Sequence, residues 1–141
     1  MEIPEIYLDA AATTPPLANV LRRMEQVQRD AWANPSSLHS PGLIAAEALG
    51  RSRAQIAAAL NAESDQLIFT SGATESVHLA LLGASAQQPS GRLVISAVEH
   101  PAVEAAARVL VQRGWSLERW PVDATGLLKL DQLDRLLAPP T

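Results

Sequence analysis

The residues best equipped for chemistry fall in the run Phe69-Thr70-Ser71-Gly72-Ala73-Thr74-Glu75-Ser76. It places a glycine and three hydroxyls between an apolar stretch, Gln66-Leu67-Ile68-Phe69, and an alanine- and leucine-rich one, residues 76–87. Read as a strand turning into a helix, the run exposes backbone N–H groups at the helix start. Their partial positive charge and the helix dipole suit a phosphate. Gly72 would permit a tight turn, and the Thr74 hydroxyl would add a hydrogen bond to the same anion. Taken alone, the pattern also describes an ordinary capped helix. A second candidate is His100, set before Pro101 at a predicted helix start. An imidazole can carry protons near neutrality, but a lone histidine there equally reads as a cap or a surface residue. His39 lies in a Ser/Pro-rich loop and reads as structural or solvent-exposed. His78 stands one helical turn after Thr74, on the same face.

The elements that must position these groups follow from periodicity and breakers. Ile6-Tyr7-Leu8 is a short apolar run. Residues 17–32 repeat apolar side chains at a helical period (Leu17, Val20, Leu21, Met24, Val27, Trp32) after Pro15-Pro16. Residues 33–42 read as a loop, with Ser40 as N-cap and Pro41 opening a helix through Leu43, Ala46, Leu49, Ile56 and Leu60. Strands are predicted over 66–69, 92–97 and 115–122, and helices over 102–112 and 130–137. Gly114 ends the first of these helices, and Asp123-Ala124-Thr125-Gly126 forms a turn. Trp32, Trp115 and Trp120 read as core or interface anchors. This alternation predicts an α/β fold with a mainly parallel sheet and flanking helices. Three strands are few for a doubly wound sheet, so the fold is expected to be incomplete.

Composition narrows the function classes. With 141 residues, 48% hydrophobic and 18% charged, the chain fits one modest globular domain. A net charge of −4 without a basic stripe gives no reason to expect nucleic acid. No apolar run approaches a membrane span, and Met1-Glu2-Ile3-Pro4-Glu5 does not read as a signal peptide, so a soluble cytoplasmic protein is expected. The chain has no cysteine, which removes disulfides, thiolate metal sites and a cysteine nucleophile; no metal site is expected. Lys129 is its only lysine.

Four motifs in order carry a family resemblance: Tyr7-Leu8-Asp9 with Ala12-Thr13-Thr14-Pro15, Asn34-Pro35-Ser36-Ser37-Leu38-His39, the 69–76 run, and Glu99-His100. Together they resemble the N-terminal part of a cysteine desulfurase of the NifS/IscS class, within the class V aminotransferases of pyridoxal-phosphate fold type I. The resemblance implies an incomplete large domain of that fold: residues 1–15 as a segment near the active site, and 16–141 as part of the cofactor-binding domain, truncated at its C-terminus. It implies pyridoxal 5′-phosphate as cofactor, its phosphate held by the N–H groups of Ala73 and Thr74 and the Thr74 hydroxyl. It implies that His100 stacks on the cofactor ring and moves protons as a catalytic residue. Val77 and His78 depart from the polar residues, the second usually asparagine, that the family carries there.

The same resemblance implies the parent reaction: L-cysteine to L-alanine, with sulfur held as a persulfide for iron–sulfur cluster assembly or another sulfur-transfer pathway. It implies a homodimer when complete, and a sulfur-acceptor or scaffold protein as partner. In the family the Schiff-base lysine comes much later than Lys129 and the sulfur-accepting residue is a cysteine, so this chain alone is expected to be inert. A different class V lyase or aminotransferase, and a non-catalytic remnant acting through a partner, remain as alternatives. In the family's strand order, 67–70 would lack a neighbour here, which predicts an exposed edge and a chain that self-associates.

Overall fold

Proline and glycine breaks set where several elements of this chain begin. The computed structural model describes residues 6–138, which gather into two compact units, Met1–Ile68 and Phe69–Thr141. The opening Met1-Glu2-Ile3-Pro4-Glu5 and the closing Pro139-Pro140-Thr141 lie outside the described residues.

In the first unit, Ile6-Tyr7-Leu8 forms no strand. The Tyr7 hydroxyl instead sits 2.9 Å from the Asp9 carbonyl and 3.0 Å from that of Thr13, closing a turn. Helix α1 (Ala18–Asp30) matches the apolar period, yet none of its residues is buried. Helix α2 (Ser40–Ala59) starts one residue earlier than expected, because His39 rather than Ser40 is its N-cap. Pro41 has no N–H to cap, so the His39 ring reaches the next free donor: its Nδ1 accepts from the Gly42 N–H at 3.3 Å. Residues 34–37 close against this helix start. Ser37 N–H donates to Asn34 O at 3.0 Å, and Ser36 N–H to Asn34 Oδ1 at 2.9 Å. A Cβ at position 42 would lie 2.3 Å from the Ser37 carbonyl oxygen and 2.9 Å from that of Asn34, so only glycine fits there. Helix α2 ends with Asn61 in the left-handed region, φ 54°. Ala62 N–H then donates to Ala57 O at 2.9 Å and Asn61 N–H to Ala58 O at 3.3 Å, the paired bonds of a Schellman end.

The predicted strand over 66–69 is not a strand. Ser64–Gln66 forms a short 3₁₀ turn closed by a capping box between Glu63 and Gln66. Leu67 beyond it is extended, at φ −101° and ψ 124°. Among the described residues, 67–70 pairs with no ladder, and the Leu67 carbonyl accepts from Arg53 Nη1 at 2.6 Å instead. An extended segment becomes a strand only when a neighbour takes up its N–H and C=O groups.

The second unit contains helix α3 (Ala73–Ser85) and a β-α-β turn of chain: strand β1 (Arg92–Ser96), helix α4 (Pro101–Gln112) and strand β2 (Ser116–Trp120). The strands run parallel, in register from Arg92↔Ser116 to Ser96↔Trp120, with α4 as the crossover. The mixed helix and parallel-sheet class is therefore as expected, although β2 stops short of residue 122. Pro121 cannot donate to a ladder, and Val122 makes an isolated antiparallel bridge with Leu128 instead. The reversal is held by Asp123, whose Oδ1 accepts from Thr125 N–H, Thr125 Oγ1 and Leu127 N–H at 2.8, 2.7 and 3.0 Å. Gly126 turns the chain at φ 87°. The helix predicted over 130–137 splits into a 3₁₀ turn, Leu130–Gln132, and helix α5 (Leu133–Leu137).

The core of this unit lies where α4 covers the sheet. Ile95, Ala102, Ala106, Ala107, Leu110 and Leu136 are buried, and α4, small-residue-rich along this stretch, packs its backbone against α3 and, less extensively, β2. Glu104 on α4 takes Arg119 of β2 in a two-pronged pair at 2.8 and 2.7 Å. Glu118 on β2 pairs with Arg135 of α5 at 2.5 Å and with Arg92 of β1 at 3.7 Å. No helix among the described residues is long and apolar enough to cross a membrane.

Candidate cofactor site

The first turn of α3 is built from the Thr70–Ser76 residues outward. Gly72 is the N-cap, at φ 163° and ψ −180°. This is extended backbone open to any residue, so glycine's freedom is not what makes the turn. What glycine does leave is space: nothing lies within 4 Å of where its Cβ would be. Ala73, Thr74 and Glu75 follow as the first three helical residues. The Glu75 carboxylate folds back and accepts at Oε2 from the Ser71 N–H at 2.6 Å and the Ser71 hydroxyl at 2.7 Å. Those two bonds, the hydroxyl's first, hold its carboxyl below the usual range despite slight desolvation. Thr70 Oγ1 and Ser76 Oγ share a hydrogen bond of 2.7 Å across the turn, and Ser76 N–H donates to Gly72 O at 3.1 Å. His78 Nδ1 lies 2.9 Å from the Thr74 carbonyl one turn back.

These bonds brace the turn without consuming its outward donors. No described residue accepts from the N–H of Ala73 or Thr74, or from the Thr74 hydroxyl. All three residues from Gly72 to Thr74 are exposed. Residue types alone do not predict the Glu75–Ser71 clasp or the Thr70–Ser76 bridge. A trace of the first was present, since a serine four residues before a glutamate at a helix start is a capping-box spacing displaced by one.

His100 stands on a different element of the same unit. It is the N-cap of α4, extended at φ −63° and ψ 145°, and its Nδ1 accepts from the Ala102 N–H at 3.1 Å. The ring is exposed. A short turn joins it to the carboxyl end of β1, where Ser96 Oγ donates to Glu99 Oε1 at 2.9 Å. Helices α3 and α4 pack together, while no hydrogen bond among the described residues joins His100 to Ala73 or Thr74. Lys129 lies past β2. Its N–H donates to Pro121 O at 3.0 Å and its carbonyl accepts from Trp120 Nε1 at 2.8 Å.

The aminotransferase class-V family model matches residues 6–141, and the chain belongs to that family. Among known proteins, it is 40% identical over 139 residues to the cysteine desulfurase IscS of Dictyoglomus turgidum, covering 97% of this chain and 35% of that protein. It is 38% identical over 135 residues to the cysteine desulfurase NifS of Azotobacter vinelandii, covering 94% of this chain and 34% of that protein. Among solved structures, SspA in complex with cysteine superposes with a TM-score of 0.82 at 33% identity, over 92% of this chain and 38% of that one. A NifS-like protein superposes at 0.80 and 29% identity, over 89% and 35%. The chain thus spans 35% of the length of the first of these relatives.

Proposed function

We propose that this chain supplies the phosphate-holding part of a cysteine desulfurase that uses pyridoxal 5′-phosphate and L-cysteine. The observation that carries the reading is the first turn of α3, whose Ala73 and Thr74 N–H groups and Thr74 hydroxyl have no described acceptor. The donor set fits the group. Two amides and a hydroxyl at the positive end of a helix match a phosphate, and the nearby Glu75 carboxylate is turned onto Ser71. Open space at Gly72 lets an anion approach the backbone.

The cofactor, when bound, supplies an electron sink for the carbon next to the substrate's amino group. The chain's own residues bind and orient. Ala73 and Thr74 would hold the phosphate, and His100 would orient the cofactor ring and move protons. With no cysteine and a single lysine, Lys129, the chain by itself binds rather than turns over. The complete enzyme would be a cytoplasmic homodimer passing sulfur to an acceptor or scaffold protein.

Pyridoxal phosphate titrated onto the chain, with Lys129→Arg as background to remove amine adducts, tests this. We expect binding that inorganic phosphate competes away. Thr74→Val should weaken it by roughly ten- to a hundred-fold, the loss of one hydrogen bond to a charged group. Equal binding by Thr74→Val, or sulfide release from cysteine by this chain, would contradict the reading.

A further inference from the structure

Each of the three histidines has one ring nitrogen committed to the backbone, and the three are not alike. A backbone N–H can only donate, and a carbonyl can only accept. His39 Nδ1 faces the Gly42 N–H at 3.3 Å, and His100 Nδ1 faces the Ala102 N–H at 3.1 Å, so both nitrogens carry a bare lone pair. His78 Nδ1 faces the Thr74 carbonyl at 2.9 Å, so that nitrogen carries the hydrogen. A neutral imidazole has one N–H. Neutral His39 and His100 are therefore Nε2–H tautomers, and His78 is the Nδ1–H tautomer.

We propose that the α4 cap fixes the His100 tautomer, so that Nε2 is the one ring atom that exchanges protons with bound cofactor or substrate, and the Ala102 N–H is the positioning group. This rests on the cofactor reading given above. Two features make the lock hold. Pro101 has no N–H, so Ala102 offers the first donor of the helix, and Ala102 is itself buried. Turning the ring over would leave that donor without its acceptor. The exposed side of His100 then presents Nε2 alone. At His39-Ser40-Pro41-Gly42 an imidazole Nδ1 likewise caps α2, accepting there from the residue three on rather than two, which makes His39 an internal reference for the locked state and His78 a reference for the opposite one.

The test is nitrogen-15 NMR of the full chain labelled at histidine and in the backbone, at a pH well above the ordinary imidazole range. Magic-angle spinning removes the need for a soluble monomer. We expect pyridine-type Nδ1 and pyrrole-type Nε2 signals at His39 and His100, the reverse at His78, and a coupling across the hydrogen bond between His100 Nδ1 and the Ala102 nitrogen. An Nδ1–H signal at His100, or averaging of its two tautomers, overturns the proposal. His100→Asn, which keeps a cap acceptor, assigns the signals. Ala102→Pro should unlock His100 while leaving His39 unchanged; should that variant unfold, the wild-type pattern and the coupling still decide. Pyridoxal phosphate is then added. A response at Thr74 and at His100 Nε2, with Nδ1 still pyridine-type, supports the proposal. A response at Thr74 without one at Nε2 defeats the proposal alone, and silence at Thr74 defeats the cofactor reading and the role of Nε2 with it.

Discussion

The two units of this chain are ordered by different means. Among the described residues of Met1–Ile68, those buried are Ala33, Gly42, Ala45 and Ala57, with no large side chain among them. In Phe69–Thr141, Ile95, Leu110 and Leu136 are buried along with three alanines. The first unit holds its shape through local devices: a histidine cap, a Schellman end, a capping box and the bonds of the 34–37 loop. The second has a helix laid over a parallel strand pair, which closes a small core with contacts far apart in sequence. The difference shows that amphipathic period makes a helix without saying what will cover it. Helices α1 and α2 keep Leu21, Met24, Leu43 and Ile44 exposed, where α4 buries Leu110.

The largest break in this comparison should come from Leu110→Ala. Leu110 on α4 is 1% exposed, so truncation removes packed methyl groups and leaves a cavity, at about 2–5 kcal/mol. Leu43→Ala on α2, where the side chain is 55% exposed, should cost within about 0.5 kcal/mol. Amide hydrogen exchange in β1 and β2 checks this: Leu110→Ala should strip protection from both strands and Leu43→Ala from neither. Equal effects would mean that the second unit has no core of its own.

Next in size, two glycines of α2 should respond with opposite signs. Gly42→Ala drives a Cβ into the backbone oxygens of Ser37 and Asn34, and the loop must move at a cost of about 1–3 kcal/mol. Gly50 sits inside the same helix with nothing within 4 Å, so Gly50→Ala should stabilise by about 0.5–1 kcal/mol. Thermal melts followed by helix ellipticity separate the two. Destabilisation by both would indicate that the helix interior, rather than the loop closure, limits the first unit.

How much of this was legible in the sequence follows from the same division between local and distant causes. Helices α1, α2 and α4 were readable within one or two residues because apolar spacing, Pro41, Pro101 and Gly114 are local signals. The capping of α2 was misjudged by one residue, since serine is the better cap by preference but the missing N–H of Pro41 hands the role to His39. The strand over 66–69 was misread because a strand's partner is never written in its own residues. Gly72 drew notice as a turn former, while the glycine under real steric demand is Gly42. At the candidate site, motif order predicts Ala73, Thr74 and His100 at helix starts, and the structure places them at the starts of α3 and α4. The clasp of Glu75 on Ser71 was not, since it requires knowing that the carboxylate folds back.

Acid should act on the second unit through three carboxyls held below their usual range. Arg119 lowers Glu104, chiefly by hydrogen bonding. Bonds from Thr125, then Leu127, lower Asp123, and Ser71 lowers Glu75. A carboxyl whose folded-state value lies below its unfolded one contributes stability that is complete above the unfolded value and lost as pH falls through the folded one. The loss should therefore begin near the ordinary carboxylate range, about pH 4, and grow below it. Because Glu104 joins α4 to β2, Glu104→Gln should flatten the acid limb of the second unit's unfolding curve. An unchanged limb would assign acid sensitivity to the other two carboxyls.

The smallest effect expected lies on the surface of the first unit. Glu25–Arg29 on α1 and Glu47–Arg51 on α2 are i,i+4 pairs at 2.6 and 2.7 Å, with every partner's side chain at least 60% exposed. Both place glutamate toward the N-terminus, the favourable orientation against the helix dipole. In water such pairs are worth only about 0.3–0.5 kcal/mol each and are screened by salt. Arg29→Ala and Arg51→Ala should each lower helix content slightly at low ionic strength, and the difference from wild type should vanish in about 1 M salt, where the screening length falls to roughly 3 Å. A loss that persisted in salt would mean that the arginine stems cover the exposed apolar faces of α1 and α2, which would make packing, not charge, what these residues add to a unit with no large buried side chain among its described residues.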